Sequence, residues 1–196
     1  MGDRLNTQLS KSDEMLLASM VGKRFDEYRC DPFFVTKAVY GALGLLIDGE
    51  AYELANFLQV EDHYFGYREE VSRFTLKSVR EHELKSALAD TVQVRHAIGD
   101  MIRDVLLVQE VETMIRRSGV THLHEYTRAI IFCFQGYQLG FERGVDFSED
   151  ICVIQGANTL DELGPADQDL DDDDTDEYDE TVERRVFSLA SDSWIA

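Results

Sequence analysis

The stretch "VYGALGLLIDGEAYELANFL", residues 39–58, constrains the fold more than any other. Two apolar runs flank Asp48-Gly49, a dipeptide that tolerates positive φ at both central positions of a type I′ turn. Such a turn joins adjacent antiparallel strands, here expected at 38–47 and 50–57. Gly41 and Gly44 thin the first strand and mark a bulge or a close backbone approach.

Other segments repeat this logic. "EEVSRFTLKSV" (70–79) sets Phe74 and Leu76 against Arg73, Thr75 and Lys77, the pattern of a half-buried antiparallel strand. "YTRAIIFCFQGYQLGFER" places Gln135-Gly136 between two strands. The first carries Ile130, Phe132 and Phe134 on one face and Ala129, Ile131 and Cys133 on the other. A strand apolar on both faces is central, or is covered by a helix or a second subunit. The second strand turns Tyr137, Leu139 and Phe141 inward and Gln138 and Glu142 outward. "DICVIQG" (150–156) adds a short strand.

Residues 96–119 fit two descriptions. Apolar positions 98, 101, 105 and 108 suit a helix. The β-branched Val105, Val108, Val111, Thr113 and Ile115 favour strands, with Ser118-Gly119 turning into the next one. Ser12, Asp13 and Glu14 read as the start of a short helix that Gly22 ends. The expected fold is mainly β, an antiparallel sandwich or barrel with one or two short helices. Its domain spans 1–163, with 1–11 loose; an acidic disordered linker, 164–183, and a short apolar segment, 184–196, follow.

Charge draws those boundaries. Residues 1–160 hold 25 acids and 17 bases (−8), 161–183 hold 13 acids and no base (−13), and 184–196 hold one acid and two bases (+1), which together give −20. Like charges this dense repel and bury no core. Whether "VFSLASDSWIA" packs on its own domain or waits free is open from composition alone; self-repulsion favours the free form. Direct nucleic-acid binding is disfavoured for want of Lys and Arg clusters. A basic protein partner is favoured by the same Coulomb argument with the signs reversed. Cys30, Cys133 and Cys152 lack the spacing of a disulfide framework or a zinc site. "MGDRLNTQLSKSDE" has no apolar run of the signal-peptide kind, and no segment reaches 18 apolar residues, so a soluble cytoplasmic protein without membrane contact is expected.

Candidate chemistry is sparse. His122 and His124, two apart, share one face of a strand and can begin a metal site, but no third ligand is selected by spacing; polar histidines on an exposed strand face are the simpler reading. "DLDDDDTDEYDE" (169–180) sets acids at several calcium-loop positions, yet Asp174 stands where that loop requires Gly. No nucleophile elbow or phosphate loop is present, and no cofactor is implied. In "DHYFGYREE", Tyr64 and Phe65 suit a contact surface.

The sequence therefore reads as a non-enzymatic interaction or inhibitor protein, of the kind a phage antagonist, nucleic-acid mimic or immunity protein represents. Asp171, Asp172, Asp173, Asp174, Asp176, Glu177, Asp179 and Glu180 would stand in for phosphates in a basic groove. Phe187, Trp194, Tyr64 and Phe65 would add apolar contacts. A small metal-dependent enzyme using His122 and His124, and a structural or assembly component such as a virion protein, are the alternatives.

Overall fold

In the computed structural model Asp48 and Gly49 have φ of 50° and 75°, and Ile47 pairs across them with Glu50. The Asp-Gly turn is thus formed as its residues dictate. The structure describes residues 3–34, 37–63, 67–116, 119, 121–144, 147–164 and 178–195. Along them run β1 (Asp3–Thr7), α1 (Lys11–Ala18), β2 (Arg24–Cys30), β3 (Ala38–Tyr40), β4 (Ala42–Ile47), β5 (Glu50–His63) and β6 (Tyr67–Val79). After these come β7 (Val94–Met101), β8 (Asp104–Arg116), β9 (Thr121–Cys133), β10 (Gln138–Arg143), β11 (Asp150–Gly156), β12 (Tyr178–Ser188) and β13 (Ser193–Trp194).

Two sheets form a sandwich. The first has the order β13-β12-β8-β9-β10-β11-β3, with β1 added against β9; the second has the order β6-β5-β4-β2-β7. Phe25, Leu45, Leu54 and Phe74 of the second sheet meet Leu107, Ile130, Phe132 and Phe141 of the first in one core. The Phe25 and Phe132 rings pack edge-on with centroids 5.0 Å apart, the geometry their quadrupoles favour. The doubly apolar strand is central, as expected. On its far side Ala129 and Ile131 pack with Leu106, Val108, Ile154, Leu163 and Val186 in a second cluster.

The expected strand 38–47 is divided. Gly41 has φ of 74°, which turns the chain from one sheet to the other. Its N–H donates to Glu149 O at 3.1 Å and its carbonyl accepts from Asn56 N at 2.8 Å. Gly44 allows the expected close approach: a Cβ there would sit 2.7 Å from Leu84 Cδ1. The stretch 96–116 is not a helix: it is split between β7 in one sheet and β8 in the other.

Three expectations are corrected. Residues 3–7 are not loose: β1 pairs in parallel with His122–Tyr126 of β9, an edge that β10, paired only with positions 129–133, leaves open. The helix is capped by Ser10, whose Oγ accepts from Asp13 N at 3.2 Å, not by Ser12. Glu142 faces outward but is buried, because Arg128 Nη2 reaches it at 2.9 Å.

The largest correction concerns the C-terminus. β12 begins at Tyr178, inside the expected linker, and pairs with β8 over eleven positions, from Tyr178↔Arg116 to Ser188↔Leu106. β13 then folds back, placing Trp194 opposite Phe187. The segment is therefore part of the sheet. Its own apolar content is low, but β8 supplies partners along its length: Val186 enters the second cluster and Ser188 Oγ donates to Asp104 at 2.6 Å.

Candidate functional site

The acidic run is flanked by Leu163, which is buried among apolar residues of the second cluster, and by β12. Arg184, within β12, is tied to Gly164: its Nη2 donates to Gly164 O at 2.7 Å. Its Nε donates to Glu110 Oε1 at 2.7 Å, and Nη2 lies 2.6 Å from the same oxygen. Tyr126 Oη donates to the other oxygen, Oε2, at 2.7 Å. Glu110 is fully buried, so both its oxygens need such donors to offset desolvation.

Asp171, Asp172, Asp173, Asp174, Asp176 and Glu177 lie outside the described residues, as do Tyr64 and Phe65 of the β5–β6 connection. Asp179 and Glu180 open β12, opposite Ile115 and Met114; Asp179 is exposed and Glu180 partly so. Further along β12 a hydrogen bond from Arg185, with its charge, holds the exposed Glu183 carboxyl below its ordinary range. Phe187 and Trp194 meet edge-on at 5.1 Å, with Trp194 53% exposed. The structure thus brings Asp179, Glu180, Phe187 and Trp194 onto one two-stranded border of the sheet.

His122 and His124 are not on an exposed face: both are fully buried. Alternation places them on one side of β9 but cannot say that this side is covered. Cross-strand pairing gives their neighbours. Arg184, Glu110, Tyr126 and Thr7 lie in one row; Val182, Glu112, His124 and Leu5 lie in the next; Glu180, Met114, His122 and Asp3 lie in the third. His124 Nε2 is 2.9 Å from Thr7 Oγ1 and its Nδ1 is 3.6 Å from Glu112 Oε2. Arg143, also buried, stands over the Tyr126 ring at 4.2 Å and donates from Nη1 to Ser72 O at 2.9 Å. Among the described residues no group of three or more His, Cys, Asp or Glu side chains is placed to hold a metal ion. His124 belongs to a buried polar network that ties β12, β8, β9 and β1 together, and His122 lies in the neighbouring row.

The sequence reading missed Glu110, Arg143 and Arg184. A signal was present in "LLVQEVETM", where Glu110 and Glu112 interrupt an apolar strand at a spacing of two; acids there must find buried partners.

No family model, curated protein or solved structure matches this chain. Among the described residues no helix is long and apolar enough to cross a membrane.

Proposed function

We propose that this is a non-enzymatic binding protein that presents the acidic run 165–177 to a basic protein partner and thereby inhibits it, in the cytoplasm. The Arg184–Gly164 hydrogen bond supports this reading most directly. It fastens the residue just before the run to β12, the strand that follows the run, so the run is flanked on both sides by residues of the fold. The run holds eight acids and no base. Fixing both ends restricts its reach and reduces the entropy lost when it is ordered against a partner.

In this reading Asp171 to Asp174, Asp176 and Glu177 occupy the phosphate positions of a Lys- and Arg-lined groove. Asp179 and Glu180 continue the charge onto the sheet. Charge of this density speeds encounter and selects sign more than it sets final affinity. The half-exposed Trp194 supplies apolar contact on the same border.

The test is capture of a Lys/Arg-rich peptide by the whole protein and by a variant with the eight acids of 165–177 changed to Asn or Gln. The wild type should bind at low ionic strength and weaken steeply towards 0.15 M salt, where the Debye length is about 8 Å. Equal binding by the variant, or binding indifferent to salt, defeats the reading.

A further inference from the structure

At one end of the second sheet, Arg29 of β2 and Arg95 of β7 are directly paired across neighbouring strands. Like charges placed opposite each other destabilise a sheet, so the pair needs an anion. Glu27 supplies part of it: Arg29 Nε donates to Glu27 Oε1 at 2.5 Å, whereas Arg95 Nε is 3.9 Å from that oxygen. Glu81 takes Arg29 Nη2 at 2.6 Å. Among the described residues nothing bonds Arg29 Nη1, although Arg29 is only 8% exposed.

Arg29 and Arg95 line a cleft of about 540 Å³ together with Lys85, Leu84, Leu88 and Val92. That volume falls within the range of small-molecule sites, roughly 300–1,000 Å³. The outer wall is the segment between β6 and β7, which is fastened at two points. Asp31, almost wholly buried, accepts from Ser86 Oγ and, at 3.0 Å, from Leu88 N. Leu84 packs against Gly44. These contacts fix the wall beside the arginines. Leu88 and Val92, 41% and 84% exposed, give it an apolar lip. Asp90 is the carboxylate within the lining; Glu27 and Glu81 are already engaged with Arg29.

We propose that this cleft binds a small organic oxyanion, its phosphate or carboxylate head between Arg29 Nη1 and Arg95 and its apolar part on Leu88 and Val92. Two carboxylates hold the Arg29 guanidinium in place, so little side-chain entropy is lost when its remaining edge meets a ligand; planar guanidinium groups suit either head group. Lys85 adds a third cation, which no ion pair engages among the described residues. The inference is independent of the acidic run and of its partner.

The experiment titrates the whole protein at low salt with phenyl phosphate, benzoate and inorganic phosphate, following heat or amide chemical shifts. Saturable binding of phenyl phosphate or benzoate is expected, and the tighter of the two identifies the head group. Changing the exposed Arg95 to Gln should weaken it about tenfold or more, with shifts confined to residues 84–95 and β2. Arg29→Lys, which keeps the charge but not the planar fork, should weaken it as well. No saturable binding of either organic anion overturns the proposal, as does equal affinity in wild type and Arg95→Gln. Inorganic phosphate binding as tightly as phenyl phosphate overturns the organic part.

Discussion

Arg184 and Gly164, twenty residues apart in sequence, are joined by one hydrogen bond of 2.7 Å. The same guanidinium is the charge partner of Glu110, which has no exposure at all. One side chain therefore fastens Gly164 to β12 and neutralises a buried carboxylate. Removing it should be costly, since a buried charge left without its partner loses about 3–5 kcal/mol. Arg184→Ala is expected to lower stability by about 3 kcal/mol in urea denaturation. Arg184→Lys should retain part of that, because one ammonium cannot serve Glu110 and Gly164 in the same geometry. A loss below about 1 kcal/mol for the alanine variant would show that water or other donors already satisfy Glu110.

Gly44 and Leu84 give a second test, aimed at the wall of the cleft. A methyl group at position 44 would lie 2.7 Å from Leu84 Cδ1, so Leu84 must move. Gly44→Ala should destabilise by about 1–2 kcal/mol, as overpacking does. Adding Leu84→Ala removes the clash, and the double variant should be more stable than the sum of the two single changes. Simple additivity in a thermal-unfolding cycle would contradict the packing.

Much of this architecture was legible wherever the signal was local. The Asp48-Gly49 turn, the two-sided apolar strand around Ile130 and Ile131, and the close approach at Gly44 follow from neighbouring residues. What failed depended on distant ones. β12 was hidden because "YDETVERRVFS" is dominated by charge; its strand is specified by Glu110, Asp104 and the second cluster, about 75 to 85 residues away in sequence. β1 was hidden because parallel pairing carries no turn signal. His122 and His124 share one face of a strand as read, but that face was taken as exposed and is buried, because alternation does not reveal what covers a face.

Alkaline pH should expose the buried thiol and phenol near the cleft. Burial pushes Cys30 up to about 11 and Tyr28 up to about 12, from 9.0 and 10.0. In the folded protein both hold their protons more tightly than in the unfolded chain. Their stabilising contribution is therefore complete below pH 9, falls as pH rises from 9 towards 12, and is absent beyond. Circular dichroism should report a loss of stability across that window. Burial also pushes Cys133 up to about 11 and Tyr137 up to about 12. Cys30→Ser and Tyr28→Phe together should therefore make the profile shallower without flattening it; an unchanged slope would exclude a contribution from Cys30 and Tyr28.

The final prediction separates the two C-terminal strands. β12 contributes eleven backbone pairs, the Glu110 partner and a core valine. β13 contributes two pairs, Ile195 N donating to Val186 O at 2.9 Å, and the edge-on Trp194–Phe187 contact. An aromatic pair of this kind adds only about 0.5–1.5 kcal/mol beyond its buried area, and Trp194 keeps 53% of its surface exposed. Ending the chain after Leu189 should thus lower stability by a kcal/mol or two and leave the far-ultraviolet spectrum intact. Ending it before Tyr178 strips Glu110 of its cation and opens the edge of β8, and it should unfold or aggregate the protein. In the whole chain Trp194 emission should lie between buried and hydrated limits, with partial acrylamide quenching, and Phe187→Ala should shift it to the red. A fully hydrated spectrum in the wild type, together with normal folding of the chain ended before Tyr178, would remove the C-terminus from the fold and return residues 164–196 to a free tail.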